Sequence, residues 1–251
     1  MSPWIFLRGL TRESRHWGSL PAVWESRGLG HPVLIDLPGN GTARDAPVPA
    51  DVRGMVEAVR DANAGVGVGA PCRVLAMSLG AMVATDWAQA YPSEVAALVL
   101  INTSMRPFST VTERLRPQNW AAILGMANHW HDRARCERTV HRLTCERMDT
   151  RDADLAEWVH IGQSAPVTRA AAARQLLAAA RYRASAKPPA CPTLILSSDA
   201  DQLVNPACSA RLAAAWQARH LRHPWAGHDL PHDDEAWLCD AVASQLNGTS
   251  Q

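Results

Sequence analysis

The chain has 251 residues, 47% of them hydrophobic, with a formal net charge of +1. That length and apolar content suit one α/β domain with an insertion and exclude a disordered chain. The near-neutral balance excludes a nucleic-acid binder that works by bulk charge, and no apolar run reaches the roughly 18 residues needed to span a bilayer.

The first element is an apolar strand at Trp4–Leu7, entered at once from Met1-Ser2-Pro3. This start lacks the charged head, apolar stretch and cleavage site of a signal peptide, so a cytoplasmic location is expected. A second strand follows at Pro32–Leu37, then a helix at Ala50–Ala62. A strand at Arg73–Met77 runs directly into a helix at Ala81–Ala90, and a fourth strand covers Ala97–Ile101. Four helical patterns come next, at Pro117–His131, Arg133–Arg147, Ala153–Gly162 and Val167–Arg183. The chain then returns to a strand at Pro192–Ser197, a helix at Pro206–Gln217, a strand at His220–Pro224 and a helix at Asp234–Gln245. Short continuous apolar runs separated by helices predict a parallel sheet covered on both faces, a doubly wound α/β fold of about six strands.

The block from 105 to 187 shows helical patterns and no strand. It reads as a helical cap inserted into a core made of residues 1–104 and 188–251. It holds 14 basic and 8 acidic residues, a net of +6, against −5 for the remainder. Such a surface either bridges to the core by ion pairs or attracts an anion. Among all 25 basic residues only Lys187 is lysine, a bias of GC-rich bacterial genomes. The six cysteines (Cys72, Cys136, Cys145, Cys191, Cys208 and Cys239) are scattered without a Cys-x-x-Cys pair or metal-ligand spacing. Free buried thiols and no metal or cofactor are expected.

The chemistry concentrates at strand ends. Ala76-Met77-Ser78-Leu79-Gly80 places a serine between small neighbours at a strand-to-helix turn, the setting of a nucleophile elbow. A nucleophilic serine needs a base, and the base needs an acid to orient it. Of ten histidines, His228 stands out in a Gly-His step just after the last strand; His232 is its rival. Asp199 and Asp201 both follow the carboxyl end of the fifth strand, where open α/β sheets collect ligands. The order Ser, Asp, His along the chain is that of α/β-hydrolases.

Six motifs in order carry a resemblance to that fold. They are Arg8-Gly9-Leu10 with Trp17 downstream, Asp36-Leu37-Pro38-Gly39-Asn40-Gly41, the elbow itself, Tyr91-Pro92-Ser93-Glu94-Val95, Ser198-Asp199-Ala200-Asp201-Gln202-Leu203-Val204, and Gly227-His228. The chain resembles α/β-hydrolases over nearly the whole sheet domain. The resemblance implies that Ser78 is the nucleophile, His228 the base and Asp201, rather than Asp199, the acid. It puts the backbone amides of Leu10 and Leu79 in the oxyanion hole. Arg8 stands where the family usually has histidine, and it either meets a substrate carboxylate or forms a structural salt bridge. Arg8, Trp17 and Asn102 are the candidate pocket residues; Asn102 occupies a place where some relatives carry the acid. The two N-terminal strands common in the family have no counterpart. Serine at the elbow argues against dehalogenases and epoxide hydrolases of this fold, which use aspartate there.

The function this implies is hydrolysis of an ester or thioester by an acyl-enzyme route. Its alternatives are a carbon–carbon bond hydrolase or a lyase like that of menaquinone biosynthesis, and a non-catalytic scaffold. Trp120, Trp130 and Trp158 line an acyl pocket or else pack the cap helices together. Arg114, Arg116, Arg133, Arg135, Arg138 and Arg142 offer docking for an anionic carrier-bound acyl chain.

Overall fold

The computed structural model describes residues 2–67 and 70–248; Met1 and 249–251, the expected ends of the core, lie outside them. Six runs pair as parallel strands: the mostly apolar β1 (Trp4–Leu7), β2 (Pro32–Ile35), β3 (Cys72–Met77), β4 (Val95–Ile101) and β5 (Thr193–Ser198), and β6 (Arg219–His223), which differs from the apolar strand expected at His220–Pro224 in reading Arg-His-Leu-Arg-His with both arginines exposed. The sheet order is β2-β1-β3-β4-β5-β6, and every pairing is parallel.

Alternation along each strand divides the side chains between two cores. Ile5, Leu7, Val74, Ala76, Leu98, Leu100 and Ile195 enter one core, and α2 (Val52–Gly65), α3 (Leu79–Ala90) and α9 (Ala207–Trp216) cover it. Trp4, Phe6, Leu75, Met77, Val99, Ile101, Leu194 and Leu196 enter the other, under α1 (Leu20–Ser26) and α11 (Glu235–Gly248). Burial on both faces is why the inner strands β1, β3, β4 and β5 read as mostly apolar runs, whereas the edge strand β6 does not.

The chain starts in the middle of the sheet at β1, steps outward to β2, and returns to β3 on the other side of β1. That reversal makes a switch point at the carboxyl edge, where the loops after β1 and β3 diverge and leave a crevice. Arg8-Gly9-Leu10 and Ser78 are those two loops.

Between β4 and β5 the described residues form helices and no strand: α4 (Val111–Arg114), α5 (Trp120–Asn128), α6 (Arg133–Thr144), α7 (Arg151–Ser164) and α8 (Arg169–Arg181). An isolated bridge between Arg106 and Arg183 ties the two ends of this excursion together. The expected helix Pro117–His131 is shorter; a 3₁₀ turn fills Pro117–Asn119 before α5. Two helices went unforeseen besides the single turn α4. In α1 a proline sits in the first turn, where its missing N–H costs nothing. The other, α10 (Leu230–Asp233), is a single turn.

Candidate active site

Ser78 lies between β3 and α3 with φ 54° and ψ −116°. This left-handed conformation is strained for a residue with a side chain, and such strain collects at functional sites. Gly80 explains how the turn fits: a Cβ there would stand 2.5 Å from the carbonyl oxygens of Leu7 and Arg8. Gly9 faces the serine from the β1 loop, where a Cβ would come within 3.1 Å of Ser78 Cβ. The α3 helix begins at Leu79, so its first amides have no partner inside the helix and its positive end faces the serine.

His228 and Asp201 arrive from the loops after β6 and β5. His228 Nδ1 and Asp201 Oδ2 are 2.7 Å apart. The other Asp201 oxygen accepts the amides of Leu203 and Val204, each at 2.9 Å. Three hydrogen bonds to one carboxylate fix its plane, and the ring nitrogen facing it carries the proton. Asp201 and His228 are 1% and 3% exposed, whereas Ser78 is only half-buried. Asp199 turns away and accepts from Arg222. His232 meets Asp154 rather than Asp201.

Three consecutive residues at the end of β4 hold the serine and histidine loops at one edge. The Ile101 carbonyl accepts the Ser78 amide at 2.9 Å. The Asn102 amide donates to the carbonyls of His228 (2.8 Å) and Gly227 (3.2 Å) and to Ser198 Oγ (3.0 Å). Thr103 Oγ1 donates to the Ser78 carbonyl at 3.1 Å.

The expected pocket residues sit differently. Asn102 is 2% exposed and its side chain is consumed in clamping the histidine loop. Arg8 is also 2% exposed; its two terminal nitrogens donate to the two oxygens of Asp229 at 2.9 and 2.6 Å. Its guanidinium lies over the Trp17 ring, 4.7 Å from the centroid. Trp17 itself packs on Phe6 in the core. Arg8 is therefore the structural salt bridge of the two roles open to it, and it joins the β1 loop to the residue after His228. Trp158 packs among His16, His141 and His232. Arg114 and Arg116 are spent on backbone carbonyls, of Ala179 and Asp201 respectively.

Several site-building residues carry no local sequence signal. Asp229 is fully enclosed; burial would raise its carboxyl, but the Arg8 guanidinium overrides this and holds it below the usual carboxylate range. Asp233 accepts the amides of Gly227 (2.7 Å), Glu146 and Arg147 (both 3.0 Å), binding the histidine loop to the turn after α6. Burial there outweighs those bonds and pushes the Asp233 carboxyl up. The Asp229 amide donates to the Thr144 carbonyl at 2.7 Å. Gln175 of α8 accepts the Thr11 amide (2.9 Å) and donates to the Pro38 carbonyl (2.9 Å), fixing the β1 loop from the helical segment.

Relatives agree with this architecture. Residues 22–235 match the sequence profile of a hydrolase family described as serine aminopeptidase, S33. The chain is 29% identical to the "Putative carbamate hydrolase RutD" of Klebsiella pneumoniae (strain 342), over 92% of this chain and 94% of that protein. The enol-lactonase of Burkholderia xenovorans LB400 superposes with a TM-score of 0.78 at 18% identity, covering 98% of this chain and 92% of its own. A thermophilic esterase from Thermogutta terrifontis gives 0.75 at 21% identity, covering 100% and 91%. The six-stranded parallel sheet, the helices on both its faces and the profile match over most of its length together establish the chain as an α/β-hydrolase enzyme of the serine aminopeptidase S33 family.

Proposed function

We propose that the protein cleaves a carboxylic ester or thioester through a Ser78-His228-Asp201 triad and an acyl-enzyme. The observation that carries this is the 2.7 Å bond from His228 to Asp201, beside a serine held in the left-handed elbow conformation. With Nδ1 engaged by the carboxylate, Nε2 is the nitrogen that accepts the serine proton. Ser78 Oγ adds to the acyl carbon and His228 takes the proton. The carbonyl oxygen becomes an oxyanion received by the amides of Leu79 and Leu10, each worth about 3 kcal/mol of transition-state stabilisation. The C–O or C–S bond breaks as His228 returns the proton to the leaving group. Water, deprotonated by the same nitrogen, then releases the acid and restores Ser78.

A lactone or a carbamate, named for two of the relatives, presents the same kind of acyl carbon to this machinery. The helices of 105–187 form the cap over the site. On α6, Arg135, Arg138 and Arg142 are exposed, and Arg135 and Arg142 border a shallow groove with Ala121, Ala122, Gly125 and Met126 of α5. That groove is where the phosphate of a carrier-linked acyl chain docks. The free cysteines fit a reducing, cytoplasmic setting.

The test is p-nitrophenyl ester hydrolysis across acyl lengths, with fluorophosphonate labelling, for the wild type and Ser78→Ala. Turnover and labelling that vanish together in the variant support the reading. An unreactive Ser78 in a folded wild type overturns it.

A further inference from the structure

Apart from the catalytic loops, one buried cluster has ligand atoms and no internal use for them. His141 and Cys145 lie one helical turn apart at the end of α6, on the same face. His232 comes from α10, four residues after His228. One ligand atom each of His141, Cys145 and His232 lies within 4.8 Å of the others. Asp154 of α7 adds a carboxylate: its Oδ2 stands 3.1 Å from His232 Nε2 and 3.8 Å from His141 Nε2.

His141 is 1% exposed, yet neither of its ring nitrogens has a hydrogen-bond partner. His232 Nε2 is likewise buried and unaligned for a hydrogen bond despite its nearness to Asp154. Leaving such donors and acceptors unmade costs about 1–3 kcal/mol each, and the unpartnered Nε2 atoms of His141 and His232 both stand near the Asp154 carboxylate, which calls for a partner they can share. Surrounding groups are already in place. Thr150 Oγ1 donates to Asp154 Oδ2 at 2.7 Å, and Thr144 Oγ1 lies 3.5 Å from Cys145 Sγ. Trp158 packs against both histidine rings.

We propose that His141, Cys145, Asp154 and His232 form a binding site for a zinc-class divalent ion that locks the cap segment to the histidine loop. Two imidazoles, one thiolate and one carboxylate are the donors that borderline-soft ions select, in the number a tetrahedral structural site uses. Binding releases the Cys145 thiol proton to solvent, and the two negative ligands neutralise the ion, so no net charge stays buried. With every position taken by protein there is no open site for substrate, so the ion is structural. Three ligands come from the cap segment and one from α10, so the ion bridges the same two pieces that Asp233 bridges by hydrogen bonds.

The experiment is to strip untagged full-length protein with a chelator, reload it with Zn²⁺ or Co²⁺, and count retained metal by mass spectrometry. Expected are about one ion per chain, a raised melting temperature, and a thiolate-to-cobalt charge-transfer band in the near ultraviolet. Cys145→Ser should abolish that band, and His232→Ala should weaken binding by about 100-fold or more. His232→Ala also serves should Cys145→Ser fail to fold. Ser78→Ala should load like the wild type, which separates this site from the hydrolase reading. No retained metal, no thiolate band, or equal loading of wild type and both variants overturns the proposal.

Discussion

His228 and Asp229 are neighbours in the chain, and each is buried against an oppositely charged or polar partner brought from far away. His228 pairs with Asp201 at 2.7 Å and Asp229 with Arg8 at 2.6 Å. The first pair engages only one of the two ring nitrogens of His228, at the sheet edge that also carries the half-buried Ser78. The second spends both terminal guanidinium nitrogens on the two carboxylate oxygens, with an aromatic ring over the guanidinium. Burial and charge pairing therefore do not separate a reactive group from a fastening.

The largest effects should fall on the reactive pair. Ser78→Ala should lower kcat by about a millionfold, to the residue that binding and the oxyanion hole supply alone. Single-turnover hydrolysis of an activated ester measures this. Asp201→Asn should lower kcat by about 10⁴ with KM little changed, because the amide favours the wrong imidazole tautomer. An effect of tenfold or less would mean that another carboxylate orients His228.

The fastening pair should register in stability first. Arg8→Ala leaves Asp229 buried and uncompensated, so unfolding free energy should drop by about 3–5 kcal/mol in urea melts. Arg8→Met combined with Asp229→Leu should recover most of that loss. The pair also has a pH signature. The folded Asp229 carboxyl lies below its unfolded value. Its contribution is complete above the ordinary carboxylate range and disappears as pH falls through the folded value. The double variant should lack that part of the acid sensitivity. The smallest effect concerns the α6 groove: Arg135→Glu with Arg142→Glu should raise KM several-fold for a carrier-linked thioester and leave small esters unchanged. Equal changes on both substrates would remove the carrier from the account.

Much of the fold is legible in the sequence because the inner strands are buried on both faces and so read as mostly apolar runs. Ser78, Asp201 and His228 stand out because each follows a strand end within a local motif. The residues that build the surroundings do not stand out. Arg8 and Asp229 are 221 positions apart, and Asn102 reaches His228 across 126. Nothing near Arg8 in the chain says whether it meets a substrate or an aspartate. Asp233 and Gln175 are equally silent, since most of their partners are backbone amides and carbonyls that nearly any residue could supply. His141 and Cys145 stand one helical turn apart, a spacing ligands do use, but His232 joins them only through the fold.

Gly227 sits against the end of α6, where a Cβ would come within 2.6 Å of the Thr144 carbonyl. The helical excursion is thus seated directly on the loop that carries His228. Exchanging residues 105–187 with a relative's to change substrate range would not be a modular graft. A chimera that misplaced the turn after Thr144 would displace the imidazole as well, so new specificity on this scaffold is easier to reach by altering single side chains of the excursion than by transplanting it whole.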